Sequence, residues 1–145
     1  MKLSTARFGQ LEIQEEDVYV FPNGIPGFEQ HHRFGLIEVE EHKPFSYLQS
    51  ISSPDLAFVV IDPFIIYPKY EFDLSEDFIQ EIQIQSEDQI LVRAIVSVHD
   101  NLNDATVNLV APIVLNANER KGKQLILTHG DYSTKHRLLE GSADE

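Results

Sequence analysis

The stretch of sequence that decides the fold is residues 91–98, which read Leu91-Val92-Arg93-Ala94-Ile95-Val96-Ser97-Val98. Its even-numbered positions are all apolar, whereas Arg93 and Ser97 fall on the other face. An alternation with a period of two is typical of a β-strand that buries one face. These residues therefore predict a half-buried strand.

The same period recurs on both sides of this stretch. Further strands are predicted at residues 2–8, 11–13, 18–21, 34–39, 45–51, 56–61, 106–116 and 123–128. Residues 56–61 are apolar on both faces, which predicts a central strand. Pro112 predicts a bulge or an edge, because proline cannot donate to a ladder. Gly9-Gln10 predicts a type II′ turn that joins the first two strands as a hairpin.

Helical spacing occurs at residues 74–82, where Leu74, Phe78 and Ile82 recur every fourth position. Asp73 with Glu76 resembles a capping box at the start of this helix. Many short strands and one short helix predict a small antiparallel barrel or sandwich. No linker or repeat interrupts the chain, so we expect one domain over residues 1–140 and a flexible tail at residues 141–145.

The composition describes a folded and acidic chain. Its 145 residues include 24 Asp+Glu against 11 Lys+Arg, and 42% are hydrophobic. Residues 119–145 carry five acidic and five basic side chains, so the whole net charge of −13 lies in residues 1–118. This charge argues against binding of nucleic acid or anionic lipid through the overall field, and it favours a basic partner or none.

Several classes of protein are excluded. The chain has no cysteine, which excludes disulfide scaffolds, cysteine-ligated zinc and thiol nucleophiles. The first residues lack the apolar stretch of a secretory signal. The longest apolar run, residues 56–61, is far shorter than the roughly 20 residues that span a bilayer. We therefore expect a cytoplasmic protein that does not enter the membrane.

The strongest candidate for a binding surface is residues 62–73, where four aromatic side chains lie between or beside two prolines. One interpretation is an irregular loop that closes the barrel with buried aromatics. The other is a partner-binding rim, since aromatic residues are enriched at protein interfaces. Both interpretations can hold together, with Phe64 and Phe72 inside and the tyrosines outside. The predicted contact residues are then Tyr67, Tyr70, Glu71 and Asp73, with Phe64 as their support.

A second loop, residues 21–29, has dense turn chemistry, with Asn23-Gly24 followed by Pro26-Gly27. Pro26-Gly27 fits the two central positions of a type II turn. The loop is interpreted as a rigid elbow that packs Ile25 and Phe28 inward, and a contact loop is the alternative.

The remaining polar clusters give weak signals for chemistry. Runs of acidic residues leave open an acidic hydrolase with paired carboxylates, but the sequence has no G-x-S-x-G elbow and no H-E-x-x-H pair. We predict no catalytic residue, no cofactor and no metal. Arg120, Lys121 and Lys123 form a basic cluster that is either a soluble hairpin tip or an RNA contact.

A set of blocks in collinear order resembles the flagellar assembly factor FliW family. The blocks, which span nearly the whole chain, are Phe21-Pro22-Asn23-Gly24-Ile25-Pro26-Gly27-Phe28-Glu29, Leu48-Gln49-Ser50, Pro54-Asp55-Leu56-Ala57-Phe58, Asp62-Pro63, Pro68-Lys69-Tyr70, Asn108-Leu109-Val110-Ala111-Pro112-Ile113-Val114-Leu115-Asn116, Arg120-Lys121-Gly122-Lys123-Gln124 and Tyr132-Ser133-Thr134-Lys135-His136. Each block alone is weak, whereas the ordered set is specific.

The resemblance implies a mainly β, barrel-like bacterial protein of the cytoplasm without enzymatic activity. It also implies two partners, flagellin and the carbon storage regulator CsrA, a homodimeric RNA-binding repressor of translation. In this family, release from exported flagellin frees the factor to bind CsrA and antagonise it allosterically. We expect a monomer when the protein is free, no direct contact with nucleic acid, and a CsrA-facing surface that includes Phe64, Tyr67, Tyr70, Glu71 and Asp73.

Overall fold

The computed structural model describes residues 1–98, 101–128 and 130–138 of the chain. Within these ranges the strands are β1 (Lys2–Thr5), β2 (Gly9–Glu12), β3 (Val18–Val20), β4 (Arg33–Glu38), β5 (Phe45–Ser50), β6 (Ala57–Ile61), β7 (Ile90–Ser97), β8 (Thr106–Val107), β9 (Ile113–Asn116), β10 (Lys121–Gln124) and β11 (His136–Arg137). The helices are α1 (Pro63–Ile66) and α2 (Glu76–Glu81), with short 3-10 turns at Glu15–Asp17, Glu40–His42, Glu87–Gln89 and Leu102–Asp104. The predicted tail at residues 141–145 lies outside the described residues.

The strand β7 closes the fold into a barrel. It pairs with β6 on one edge and with both β8 and β9 on the other. The strands run β7-β6-β5-β4-β3-β10-β9 and return to β7, so seven strands form a closed ring. Val92, Ala94 and Val96 of β7 are buried, as the alternating pattern predicts. The mainly β, barrel-like fold is thus confirmed, and β6 lies between two strands, as predicted.

The predicted bulge at Pro112 is present. Val96 of β7 pairs with Val107, whereas Arg93 pairs with Ile113, so β7 advances three residues while the facing chain advances six. The extra residues form a bulge, residues 108–112, between β8 and β9. Asn108 orders it, because its Oδ1 accepts hydrogen bonds from the backbone N–H groups of Val110 at 3.0 Å and Ala111 at 3.1 Å.

Two strand predictions need correction. The strand returning from β9 is β10 at Lys121–Gln124 rather than residues 123–128, so Lys121 and Lys123 lie in the strand and not at the tip. The barrel is also not wholly antiparallel, because β10 meets β3 in parallel at Lys121 and Val20. One parallel contact is required because the ring has seven strands, and an odd number of strands that alternate in direction cannot close with antiparallel pairs alone.

The first hairpin forms, but its turn differs from the prediction. Thr5 pairs with Gly9, so residues 6–8 form the loop and Gly9-Gln10 already belong to β2. Gly9 has φ +69°, which suits the glycine that follows a three-residue hairpin loop as a bulge. The Thr5 hydroxyl accepts from the N–H of Phe8 and donates to the carbonyl of Gly9, both at 2.8 Å. This side-chain bridge replaces the predicted type II′ turn.

The helix predicted at residues 74–82 is confirmed in part. It spans Glu76–Glu81, and its N-cap is Ser75, whose hydroxyl accepts from the N–H of Phe78 at 3.1 Å. The predicted cap at Asp73 is therefore wrong, because Ser75 holds the extended backbone that a cap requires. The helix buries Phe78 and Ile82 against Val114 of β9.

The end of α2 is tied to the barrel by the buried side chain of Asn116. Its Nδ2 donates to the carbonyls of Ile82 at 2.8 Å and Gln83 at 3.0 Å. Its Oδ1 accepts from the N–H groups of Asn118 at 3.0 Å and Glu119 at 3.2 Å. The single side-chain amide of Asn116 thus pairs with backbone groups of two turns, one after α2 and one after β9. Buried backbone groups of this kind are nearly always hydrogen-bonded.

Candidate functional site

The helix α1 begins the segment that was predicted as a binding loop. Asp62 is its N-cap, with a carboxylate oxygen that accepts from the N–H of Phe64 at 2.9 Å, and Pro63 is its first residue. Proline suits this position because its missing N–H would have no helical partner. The expectation of an irregular loop is wrong here, and the Asp-Pro pair was the signal that could have corrected it.

The structure reverses the predicted orientation of two aromatic residues, Tyr70 and Phe64. Tyr70 is only 3% exposed, and its hydroxyl donates to the carbonyl of Leu109 at 2.6 Å. Phe64, predicted to point inward, is 40% exposed. Tyr67 and Phe72 are half-buried. Tyr70 is therefore a core residue that supports the surface, because its hydroxyl satisfies a carbonyl in the bulge at residues 108–112.

Tyr70 is the centre of an aromatic cluster. Its ring contacts those of Phe64, Tyr67, Phe72 and Tyr132, with centroid distances from 4.7 Å for Tyr132 to 6.4 Å for Tyr67. Burial raises the pKa of the Tyr70 phenol well above its ordinary value, and the neighbouring Tyr132 raises that pKa further. The phenol therefore stays neutral as a donor to Leu109.

Next to this cluster, Glu71, Phe72 and Asp73 form a surface feature that we call the acidic ridge. The side chains of Glu71 and Asp73 are exposed on either side of half-buried Phe72. No salt bridge involves these two carboxylates within the described part of the chain. The ridge thus presents two negative charges to a partner, and it is anchored by Phe72.

The ridge separates two open grooves. The first, which we call the Ile126 groove, holds about 600 Å³ and is lined by Tyr67, Glu71, Phe72, Asp73, Ser75, Leu125, Ile126, Leu127, Thr128, Gly130, Asp131 and Tyr132. The second, the Ile84 groove, holds about 590 Å³ and is lined by Phe64, Phe72, Asp73, Leu74, Ile79, Ile84, Gln85, Ser86, Glu87, Ile90 and Val92. Both grooves therefore combine apolar side chains with carboxylates.

Four of the five predicted contact residues line these grooves. Tyr67, Glu71 and Asp73 line the Ile126 groove, and Phe64 and Asp73 line the Ile84 groove. Sequence reasoning missed the opposite wall of the Ile126 groove, which residues 125–128 and 130–132 supply. The three apolar residues at 125–127 were its only signal, and they were assigned to a strand of the barrel.

The basic cluster is partly neutralised by its neighbours. The Lys123 ammonium forms a salt bridge with Glu81 at 2.6 Å and lies 5.7 Å from the centroid of the Phe78 ring. Gly122 packs against Phe21 in the core. These contacts give the cluster a structural role between β10 and α2, and they weaken the interpretation as an RNA contact.

The loop at residues 21–29 is an elbow, as predicted, with one exception. Ile25 is 2% exposed, but Phe28 is 39% exposed and lies edge-on against Phe58. Gly24 has φ +69°, and a Cβ there would lie 2.6 Å from the Cα of Glu29. The N–H of Gly27 donates to the Glu29 carboxylate at 3.1 Å, which lowers the pKa of that carboxyl.

The carboxylates of the Ile126 groove do not form the arrangement that an acidic hydrolase would need. Glu71, Asp73 and Asp131 are all exposed, whereas a general acid in such an enzyme needs apolar surroundings. Among the described residues there is no cluster of three or more histidines or carboxylates that could hold a metal ion. The described part of the chain likewise has no helix long and apolar enough to cross a membrane.

The fold and the site together define a small closed β-barrel protein with an acidic, partly aromatic surface divided by a ridge. Comparisons with known proteins place it more narrowly. The family model described as "FliW protein" matches residues 2–138. The flagellar assembly factor FliW of Geobacillus thermodenitrificans is 45% identical over 139 residues, which cover 96% of each chain. The FliW of Syntrophomonas wolfei is 38% identical, over 100% of this chain and 93% of that relative.

A crystal structure of a flagellar assembly factor FliW superimposes on this chain with a TM-score of 0.89 at 44% sequence identity. The superposition covers 95% of this chain and 96% of the solved chain. The chain belongs to the flagellar assembly factor FliW family.

Proposed function

We propose that this protein is a non-enzymatic regulatory factor of flagellar assembly that acts in the cytoplasm by binding two protein partners. One partner is flagellin. The other is CsrA, which the factor binds when it is free of flagellin, relieving repression of flagellin translation by an allosteric effect. The protein is a monomer when free, and it makes no direct contact with RNA. Membership of the family over nearly the whole chain supports this proposal.

The single observation that carries the CsrA part is the acidic ridge beside exposed aromatic surface. Glu71 and Asp73 extend into solvent without intramolecular ion pairs in the described structure, and Phe64 is 40% exposed near them. Interface affinity comes mainly from a few buried aromatic or apolar anchors. Phe64 and Tyr67 are the anchors in this proposal, and Tyr70 holds them in place from the core.

The negative charge of this protein would orient CsrA on approach and raise the rate of association. A repressor that grips RNA presents basic surface, and this chain carries a net charge of −13. Complementary charge raises the rate of association more than the affinity itself, and it is screened over a Debye length of about 8 Å at physiological salt. We therefore expect the association rate to fall steeply as salt is added, whereas the dissociation rate changes little.

Calorimetric titration against CsrA, with and without flagellin, tests the function. We expect wild-type protein to bind CsrA stoichiometrically and flagellin to abolish that binding. Glu71→Lys with Asp73→Lys should weaken CsrA binding by roughly tenfold or more, since charge pairs at interfaces contribute about 1.5 kcal/mol or more. The matched control is Glu15→Lys with Glu16→Lys, which reverses the same number of exposed charges at positions that line neither groove. Failure of the wild-type protein to bind CsrA would contradict the proposal.

A further inference from the structure

We propose that the Ile126 groove binds an extended, basic segment of a partner protein as an added β-strand along residues 125–128. This inference rests on the proposed function, because the groove shares Tyr67, Glu71 and Asp73 with the surface assigned to CsrA. It adds the mode of recognition: backbone pairing with residues 125–128.

The first observation is that residues 125–128, which follow the end of β10, are paired along one edge. The N–H of Leu125 donates to the carbonyl of Pro112, and the N–H of Leu127 donates to that of Val110, both at 2.8 Å. Steps of two residues on both chains are the spacing of an antiparallel ladder. Residues 125–128 are therefore extended and pair with the bulge at residues 108–112.

The second observation is that the other edge of this segment is open. Successive N–H groups of a strand point to opposite edges, so those of Ile126 and Thr128 point away from the bulge. Neither N–H group has a hydrogen-bond partner within the described structure. Residues 125–128 line a groove of about 600 Å³. An open row of backbone groups beside such a space is a template for another strand.

The third observation concerns the side chains of this segment. Leu125 packs with the core group around Phe78, and Leu127 packs with that around Tyr70. Ile126 lies on the opposite face and is 54% exposed. An added strand would cover Ile126 with an apolar side chain of its own, as cross-strand neighbours do.

The charges of the groove select the partner. Its described lining residues include three carboxylates, Glu71, Asp73 and Asp131, and no lysine or arginine. A second copy of this chain would bring the same carboxylates to the groove, in a protein with a net charge of −13. Like charges disfavour that pairing. The complementary occupant is a segment in which lysine or arginine alternates with apolar residues.

Binding of full-length protein to the CsrA homodimer, compared between two substitutions at one position, tests the inference. Ile126→Pro removes the outward N–H group and leaves the inward bonds of Leu125 and Leu127, since proline favours an extended residue before it. Ile126→Val keeps the N–H group and a β-branched apolar side chain. We expect Ile126→Pro to weaken binding about tenfold, the effect of losing one hydrogen bond, and Ile126→Val to bind like wild type.

Hydrogen exchange on the wild-type complex gives a second readout that does not depend on folding of a variant. Strand addition predicts slower exchange at the amides of Ile126 and Thr128, with no change at Leu125 and Leu127, which are already bonded. Docking of a helix would not produce this alternation. If Ile126→Pro stays folded and binds as tightly as wild type, or if the exchange of Ile126 is unchanged in the complex, the inference is overturned while the proposed function stands. Absence of any wild-type binding overturns both.

Discussion

The phenol oxygen of Tyr132 accepts a hydrogen bond from the backbone N–H of Glu71 at 3.0 Å and donates one to the carbonyl of Glu71 at 3.2 Å. These two bonds join chain segments that are 61 residues apart. They hold the acidic ridge against the opposite end of the Ile126 groove. The width of the groove therefore depends on one tyrosine side chain.

Replacement of Tyr132 by phenylalanine tests this dependence. Loss of the two bonds should lower the free energy of unfolding by about 0.5–1.5 kcal/mol, as measured by urea denaturation. We also expect weaker binding of CsrA, because the ridge loses its two hydrogen bonds to Tyr132 while every charge remains. The control for stability is Tyr67→Phe, since Tyr67 contacts the Tyr132 ring at 5.7 Å but its hydroxyl forms no hydrogen bond within the described part of the chain. Equal effects of the two substitutions would contradict the assigned role of Tyr132.

Tyr70 should behave as a core residue and not as a contact residue. Tyr70→Phe leaves the Leu109 carbonyl without its donor, and an unsatisfied buried acceptor costs about 1–3 kcal/mol. Tyr70→Ala should cost about 3–5 kcal/mol. Chemical denaturation of both variants checks these values. A Tyr70→Phe protein of full stability that no longer binds CsrA would show instead that the hydroxyl serves the partner.

The raised pKa of Tyr70 predicts a loss of stability at high pH. In the unfolded chain this phenol ionises near pH 10, whereas in the folded protein its pKa lies well above that value because of burial. Above about pH 10 the unfolded state therefore binds fewer protons than the folded state, so stability falls as pH rises. Denaturation between pH 8 and 11 should show a shallower decline for Tyr70→Phe. Identical pH profiles would contradict the assignment.

Gly122 should tolerate no side chain. A Cβ at this position would lie 2.6 Å from Cζ of Phe21 and 2.8 Å from Cδ2 of Leu115. Overpacking of a core costs about 1–3 kcal/mol, so Gly122→Ala should lower the melting temperature clearly. The comparison is Lys121→Ala in the preceding residue of β10, which should have a smaller effect. A neutral Gly122→Ala would mean that Phe21 can move aside.

The stability of the protein should depend on the side-chain donor of Asn116. Asn116→Asp keeps the oxygen that accepts from Asn118 and Glu119, but it places a second oxygen at the carbonyls of Ile82 and Gln83, which are 2.8 and 3.0 Å from Nδ2. A buried, poorly paired charge is strongly destabilising, by about 3–5 kcal/mol. The exposed neighbour gives the control Asn118→Asp. Thermal melts at pH 7 distinguish the two, and equal melting temperatures would contradict the buried network.

Much of the fold follows from patterns within single segments. The alternation in residues 91–98 predicts β7, the apolar run at residues 56–61 predicts a central strand, and Pro112 predicts the bulge. These signals are local, because the side-chain period of a strand and the missing N–H of proline act on the nearest residues. The pattern could not decide whether Asp73 or Ser75 caps α2, since both residue types suit an N-cap.

The sequence predicted where in the chain the candidate site lies, but not which of its aromatic side chains point outward. The sequence by itself determined that residues 62–73 combine aromatics with carboxylates, that the chain is acidic, and that its ordered blocks resemble one family. Only the tertiary structure decided that Tyr70 points into the core and Phe64 outward, because a carbonyl in the distant bulge at Leu109 needs the phenol as its donor. The tertiary structure also decided that residues 125–128 form the other wall of the groove, since closure of the ring at β7 and β9 brings them beside the ridge.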